Sequence, residues 1–164
     1  MTGMTITKDL FKQVAESIGT MAKRRVLIGI PAPENQRQDG ALGNAALGYI
    51  HEKGSGVQKI PARPFLVPGV RAAEAKTIKA LKAAAQAALD GDPHALDQGL
   101  NTAGLIGQTT VKQTLRNGGT EDKPFKPLSQ RTLAARRRKG FAGEKPLVRT
   151  AQLLNSITYV VRDK

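Results

Sequence analysis

Two prolines three residues apart, Pro61 and Pro64, sit inside residues 49–70 and leave that stretch few conformations. Each proline fixes its own φ, removes a backbone donor and biases the preceding residue away from the helix. Residues 60–66 (Ile-Pro-Ala-Arg-Pro-Phe-Leu) are therefore predicted to be extended. Arg63 stands between the prolines as a charged fork on a stiff rod, and Phe65 and Leu66 supply apolar surface directly after it. Upstream, His51 and Glu52 end a helix that runs into Gly54 and Gly56. None of these residues forms a catalytic pattern. Such an element suits holding a fixed shape against a neighbour. Arg63 is either an exposed turn residue or half of an ion pair that fixes the segment to its own fold or to another subunit. The flanking prolines already set its direction, which favours the pair.

The rest of the chain follows from hydrophobic periodicity. Leu10, Val14, Ile18 and Met21 mark one face of an amphipathic helix over residues 7–23. Val26, Ile28 and Ile30 alternate with Leu27 and Gly29, which predicts a strand with both faces mostly apolar and buried. A polar loop follows at 34–40. Residues 44–53 form a short helix with Ala45, Ala46, Tyr49 and Ile50 expected inward. A long helix over 70–89 should bury Val70, Thr77, Ile78, Leu81, Ala85 and Ala88. Asp92 then caps a helix over 93–116, with Pro93 at its first position. Its inward stripe is Leu96, Leu100, Ala103, Gly107, Val111 and Thr114. Gly99, Gly104 and Gly107 each cost that helix about 1 kcal/mol relative to Ala. A close-packed alanine-rich neighbour would explain them, so the two helices should form a hairpin. Ser129 is placed to cap a short helix ending near Arg138, and Ile157, Tyr159 and Val161 mark a last strand. The fold class is α+β: a small, mostly antiparallel sheet packed by long helices, with an extended basic loop.

Composition sets limits on function. The chain has 164 residues and reads as a single domain over 1–164, with 120–146 as a mobile basic loop. Hydrophobic residues make up 40% but aromatics only 4%, so the core must be aliphatic and alanine-rich. Small side chains bury little area each, and an isolated monomer gains little from them. Stability gained from neighbouring subunits is the expectation. With no cysteine, disulfides and thiolate metal sites are excluded. No apolar run is long enough for a membrane helix and no signal-peptide pattern opens the sequence, so synthesis in the cytoplasm is expected. Lys and Arg number 26 against 13 Asp and Glu, a net charge of +13. Such a chain should seek polyanions or acidic protein surfaces. Arg136, Arg137, Arg138 and Lys139 concentrate that charge. They are either a solvated helix end or a contact for nucleic acid or an acidic neighbour.

Catalytic, cofactor and metal sites are all expected to be absent. His51-Glu52 matches the start of a zinc-protease motif, but position 55 is Ser where the second histidine belongs. Gly54-Ser55-Gly56 lacks the third glycine of a dinucleotide loop and follows a helix. No phosphate loop or nucleophile elbow occurs.

Two blocks carry a resemblance. His51-Glu52-Lys53-Gly54 followed by Pro61-Ala62-Arg63-Pro64-Phe65-Leu66 resembles the tail-completion (neck) protein family of tailed bacteriophages. The family pattern near its end is Pro-Leu, then Thr-Gly-x-Leu, then a Ser leading into a strand. Here it reads Pro146-Leu147, Thr150-Ala151-Gln152-Leu153 and Ser156. Lys53 stands where an apolar residue is common, and Ala151 where Gly is usual. The resemblance implies a non-enzymatic virion structural protein, made in the host cytoplasm and located in the virion at the neck. It implies self-association in a ring at the head–tail junction. The partners would be the tail terminator, connector or stopper, with no membrane contact. The alternative is a small basic nucleic-acid-binding protein making nonspecific contacts. The few aromatics and the lack of a reader motif weigh against that alternative.

Overall fold

A computed structural model describes residues 10–32, 42–92 and 94–164. In chain order the elements are α1 (Leu10–Lys23), β1 (Arg24–Gly29), α2 (Asn44–Lys53), α3 (Leu66–Leu89) and α4 (Ala95–Asn117). Then come β2 (Gly119–Thr120), β3 (Lys123–Pro124), α5 (Gln130–Arg138), α6 (Gln152–Asn155) and β4 (Thr158–Asp163). The expected N-terminal part of α1, the 34–40 loop and Pro93 lie outside the described residues. The fold is α+β, as the periodicity predicts. The stretch 120–146 holds the short β2–β3 hairpin and α5 between irregular segments.

β1 and β4 pair antiparallel, from Arg24 opposite Asp163 to Gly29 opposite Thr158. Arg24 locks this register at one end, reaching Asp163 at 3.3 Å and Asp97 of α4 at 2.9 Å. The three glycines of α4 explain how close its neighbours come. Gly99 faces Ala84 so closely that a Cβ would overlap the alanine methyl. Gly104 and Gly107 serve the sheet instead of α3: one lies under the Tyr159 ring, the other against Ile28. Close packing against the alanine-rich helix thus accounts for only the first. Tyr159 also donates its hydroxyl to Asn101 at 3.2 Å.

α4 covers one face of this ribbon. On the other, the register partners Leu27 and Val160 are 42% and 40% exposed. The expectation of a strand buried on both faces fails there, because among the described residues only one helix layer packs on the sheet. Alternation still holds, since side chains on a strand point to opposite faces in turn.

Two inward faces also differ from the prediction. α2 buries Asn44 and Gly48, while Tyr49 is 68% exposed. Gly48 is inward because Ile30 occupies the space a side chain would need, its Cδ1 2.7 Å from the Cβ position. α3 buries Gly69, Ala73, Ala84 and Ala88, leaving Val70 and Ile78 exposed. Its smallest residues face α4: a Cβ on Gly69 would come within 2.7 Å of the Val111 Cα. Close helix approach selects the small side chains, so the larger ones are left outside.

α3 begins at Leu66, four residues before the predicted start. Pro68 falls in its first turn, where the missing N–H would have no intrahelical partner anyway. The extended segment therefore ends before Phe65, whose ψ of −32° has left the extended region, and Leu66 is helical. α4 starts at Ala95 with His94 at the capping position, and Asp92 accepts from the His94 N–H at 2.9 Å. The core joins distant parts of the chain: Phe65, Val111, Leu115, Leu153, Leu154 and Ile157.

Candidate functional site

The site is built from the turn after α2. Gly54 ends that helix at φ +79°, donating its N–H to Ile50 O at 2.6 Å. A Cβ there would lie 2.8 Å from the Ala62 nitrogen, so the returning strand passes where only glycine leaves room. Ser55 and Ile60 exchange both backbone hydrogen bonds at 2.9 Å, closing the turn. The Arg63 N–H then donates to His51 O at 2.7 Å. The proline rod is thus tied back along the end of α2.

Glu52 links this turn to α3. Its Oε2 accepts from the Phe65 and Leu66 N–H groups at 2.8 and 2.9 Å, and Oε1 from Val67 at 3.0 Å. A helix leaves its first N–H groups without partners and carries a partial positive charge at that end. A carboxylate from another helix meets both needs. Phe65, the residue at the capping position, then points its ring into the core.

Arg63 is buried, with 5% of its surface exposed. Its Nε donates to Lys126 O at 2.8 Å and its Nη2 to Pro127 O at 3.1 Å. The side chain fixes the segment to its own fold, but through carbonyls; the expected ion pair is absent among the described residues. Burial, and next the charge of Arg136, lower the Arg63 pKa. Through this contact the chain entering α5 is held against the proline rod.

Ser129 caps α5, accepting from the Thr132 N–H at 3.3 Å. The basic run at its end divides. Arg136 turns back and donates Nη1 to Gly143 O and Lys145 O, both at 2.9 Å. Arg137 lies 3.3 Å from Glu144. Arg138 and Lys139 are exposed. The four residues therefore do not act as one patch: the first shapes the following turn and the last two face solvent.

The C-terminal block closes the site. Ala151 has φ +55°, the left-handed conformation that favours glycine. Leu153 is buried, and Ser156 donates Oγ to Leu153 O at 2.8 Å as the chain turns toward β4.

Between α2, the proline rod, α5 and the turn before α6 lies an open cavity of about 730 Å³. Lys59, Arg63, Arg136 and Arg149 contribute to its lining, with Leu128 and Leu147 among the apolar walls. Among the described residues, no Asp or Glu lines it. His51 also borders it; its Nδ1 is buried without a hydrogen-bond partner, and burial, then the Arg63 charge, lower its pKa. The Arg149 guanidinium lies 4.9 Å from the centre of the Phe141 ring. Of the residues singled out from sequence, His51, Pro61, Arg63, Arg136 and Leu153 meet at this cavity. Lys59 and Arg149 were not anticipated there, since they are far apart in sequence and belong to no shared motif.

Among the described residues, no three His, Asp or Glu side chains are grouped to hold a metal ion. No described helix is long and apolar enough to cross a membrane. Comparison with family models, curated proteins and solved structures returns no match for this chain.

Proposed function

We propose that this chain is a non-enzymatic structural subunit of a tailed-phage virion, a tail-completion protein acting at the neck. The observation that carries the reading is the union of its two motif blocks. Phe65 from the first and Leu153, Leu154 and Ile157 from the second share one core. Glu52 and Arg63, charged residues of the first block, are both engaged by backbone groups. A motif that uses Glu52 and part of Arg63 to hold backbone in place makes a shape. Its work is to present surfaces to neighbours.

Self-association fits the sheet. A two-stranded ribbon is marginal alone. Here both outer edges are unpaired among the described residues, and Leu27 and Val160 present an exposed apolar pair beside Arg25 and Arg162. A neighbouring subunit adding a strand or covering that pair would complete the sheet, and repetition of such a heterologous contact closes a ring. The excess positive charge then faces acidic neck or tail proteins.

The test is electron microscopy and sedimentation of the purified chain, alone and with isolated tails. Closed rings of uniform diameter, or density capping tail ends, are expected. Nucleic-acid binding is measured alongside: the reading predicts duplex binding that is weak, sequence-independent and lost at moderate salt. A chain that stays monomeric in both settings and binds one duplex sequence selectively would be a nucleic-acid reader, and the neck proposal would fall.

A further inference from the structure

The cavity beside the proline rod is built to receive an anion flanked by apolar groups. Four cationic side chains converge on it, with no carboxylate in its lining among the described residues. Two of them are already partly committed, which fixes their direction. Arg63 uses Nε and Nη2 on carbonyls, and Arg136 uses Nη1. Their remaining N–H groups have no partner among the described residues. Arg149 has its guanidinium stacked by Phe141, with no hydrogen bond among the described residues. Gathering like charges costs free energy, and the direction of the Arg63 and Arg136 shifts reflects burial together with that repulsion. An incoming negative charge would relieve it.

We infer that this cavity binds a short peptide segment of a partner protein, carrying a carboxylate next to aliphatic side chains. Planar guanidinium forks match carboxylates two bonds at a time. Between them Ile60, Leu128, Leu147 and Leu153 offer apolar surface to side chains, beside the polar Gln58, Ser129, Thr132 and Thr150. A nucleic-acid backbone would satisfy the charge and leave those walls uncovered, and among the described residues the lining holds no Phe, Tyr or Trp ring for a base to stack on. The volume falls in the range of ordinary ligand pockets, about 300–1,000 Å³, so the occupant is a segment of a few residues. The chemistry stands on the cavity alone. It rests on the neck reading only in naming the donor as a neighbouring virion subunit.

The probe is a pair of arrays of random octapeptides, one with free C-termini and one amidated, exposed to the labelled full-length chain. Expected binders carry Asp or Glu beside Leu, Ile or Val. Enrichment on both arrays points to a side-chain carboxylate, and enrichment confined to free C-termini points to a terminal one. Lys59→Glu and Arg149→Glu, both at exposed positions, should each weaken selected peptides at least about tenfold, a loss of about 1.4 kcal/mol. Lys112→Glu, outside the cavity, changes net charge equally and should leave them within about twofold, the scatter of surface changes. Circular dichroism confirms each fold, and Arg149→Gln serves if the reversal unfolds. Absence of acidic enrichment, or equal losses in all three variants, overturns the inference. A chain that selects acidic peptides yet forms no ring would sink the neck reading and leave the cavity's chemistry standing. A ring-forming chain without acidic selection would do the reverse.

Discussion

Replacing Glu52 by Ala should be among the most damaging single changes outside the hydrophobic core. The carboxylate receives three backbone N–H groups, from Phe65, Leu66 and Val67, at 2.8 to 3.0 Å. Ordinary side-chain caps contribute about 0.5–2 kcal/mol. This one adds a full negative charge at a helix N-terminus, worth up to about 2 kcal/mol when partly buried. The Phe65 residue is almost fully buried, so its orphaned N–H is poorly placed to recruit water. Leaving a buried donor unmade costs about 1–3 kcal/mol. These terms overlap and do not add fully, which puts Glu52→Ala at about 3–4 kcal/mol. For a chain of this size each kcal/mol lowers Tm by about 2–4 °C. Glu52→Gln keeps an acceptor oxygen and loses the charge, and should fall about midway. Lys53→Ala, an exposed neighbour, should stay within about 0.5 kcal/mol. Urea and thermal melts followed by circular dichroism measure all three, with hydrogen exchange on the first turn of α3 as a local readout. If Glu52→Ala melts with the unaltered protein, the cross-helix cap contributes nothing and the structural account of the motif is wrong.

Four further outcomes follow from particular residues. Phe65→Ala empties the centre of the core and should cost about 3–5 kcal/mol in urea melts. Ala151→Gly should raise stability by about 0.5–1 kcal/mol, since relief of left-handed strain exceeds the added freedom of the unfolded chain. His51 is held below its ordinary pKa of 6.5, so the unfolded chain takes its proton first. Its contribution to stability is complete above about pH 6.5 and declines as pH falls through that value toward the lower folded-state pKa; His51→Gln should flatten that part of the stability–pH curve. Arg138→Gln with Lys139→Gln should leave the monomer within about 0.5 kcal/mol of the parent, because both side chains face solvent, whereas Arg136→Gln should loosen the turn at 143–145 and show faster exchange there.

The sequence made some features legible and hid others for identifiable reasons. Strands β1 and β4 follow from the alternation of Val26 and Ile28, and of Ile157, Tyr159 and Val161. The start of α5 follows from Ser129, because a cap is a local signal. The inward faces of α2 and α3 differ from the periodic pattern because periodicity weighs residues by hydrophobicity. Close packing instead chose Gly48, Gly69 and Ala73, leaving Tyr49 and Ile78 outside. The first turn of α3, ahead of the expected start at residue 70, depends on a partner for its leading N–H groups. That partner, Glu52, lies on another helix, beyond any local pattern. The same holds for the cavity. Lys59 and Arg149 carry no motif between them, and only the contact of Arg63 with the chain before α5 brings their neighbourhoods together.

The proposal that this chain completes a phage neck is tested most directly by head–tail joining. A tailed phage lacking its own copy of this gene is grown, and the lysate is supplemented with the purified chain or with buffer. Joined and infectious particles are counted by electron microscopy and plaque assay. The account predicts separate heads and tails in buffer and joined particles when the chain is added. Equal numbers of joined particles with and without it would contradict the account.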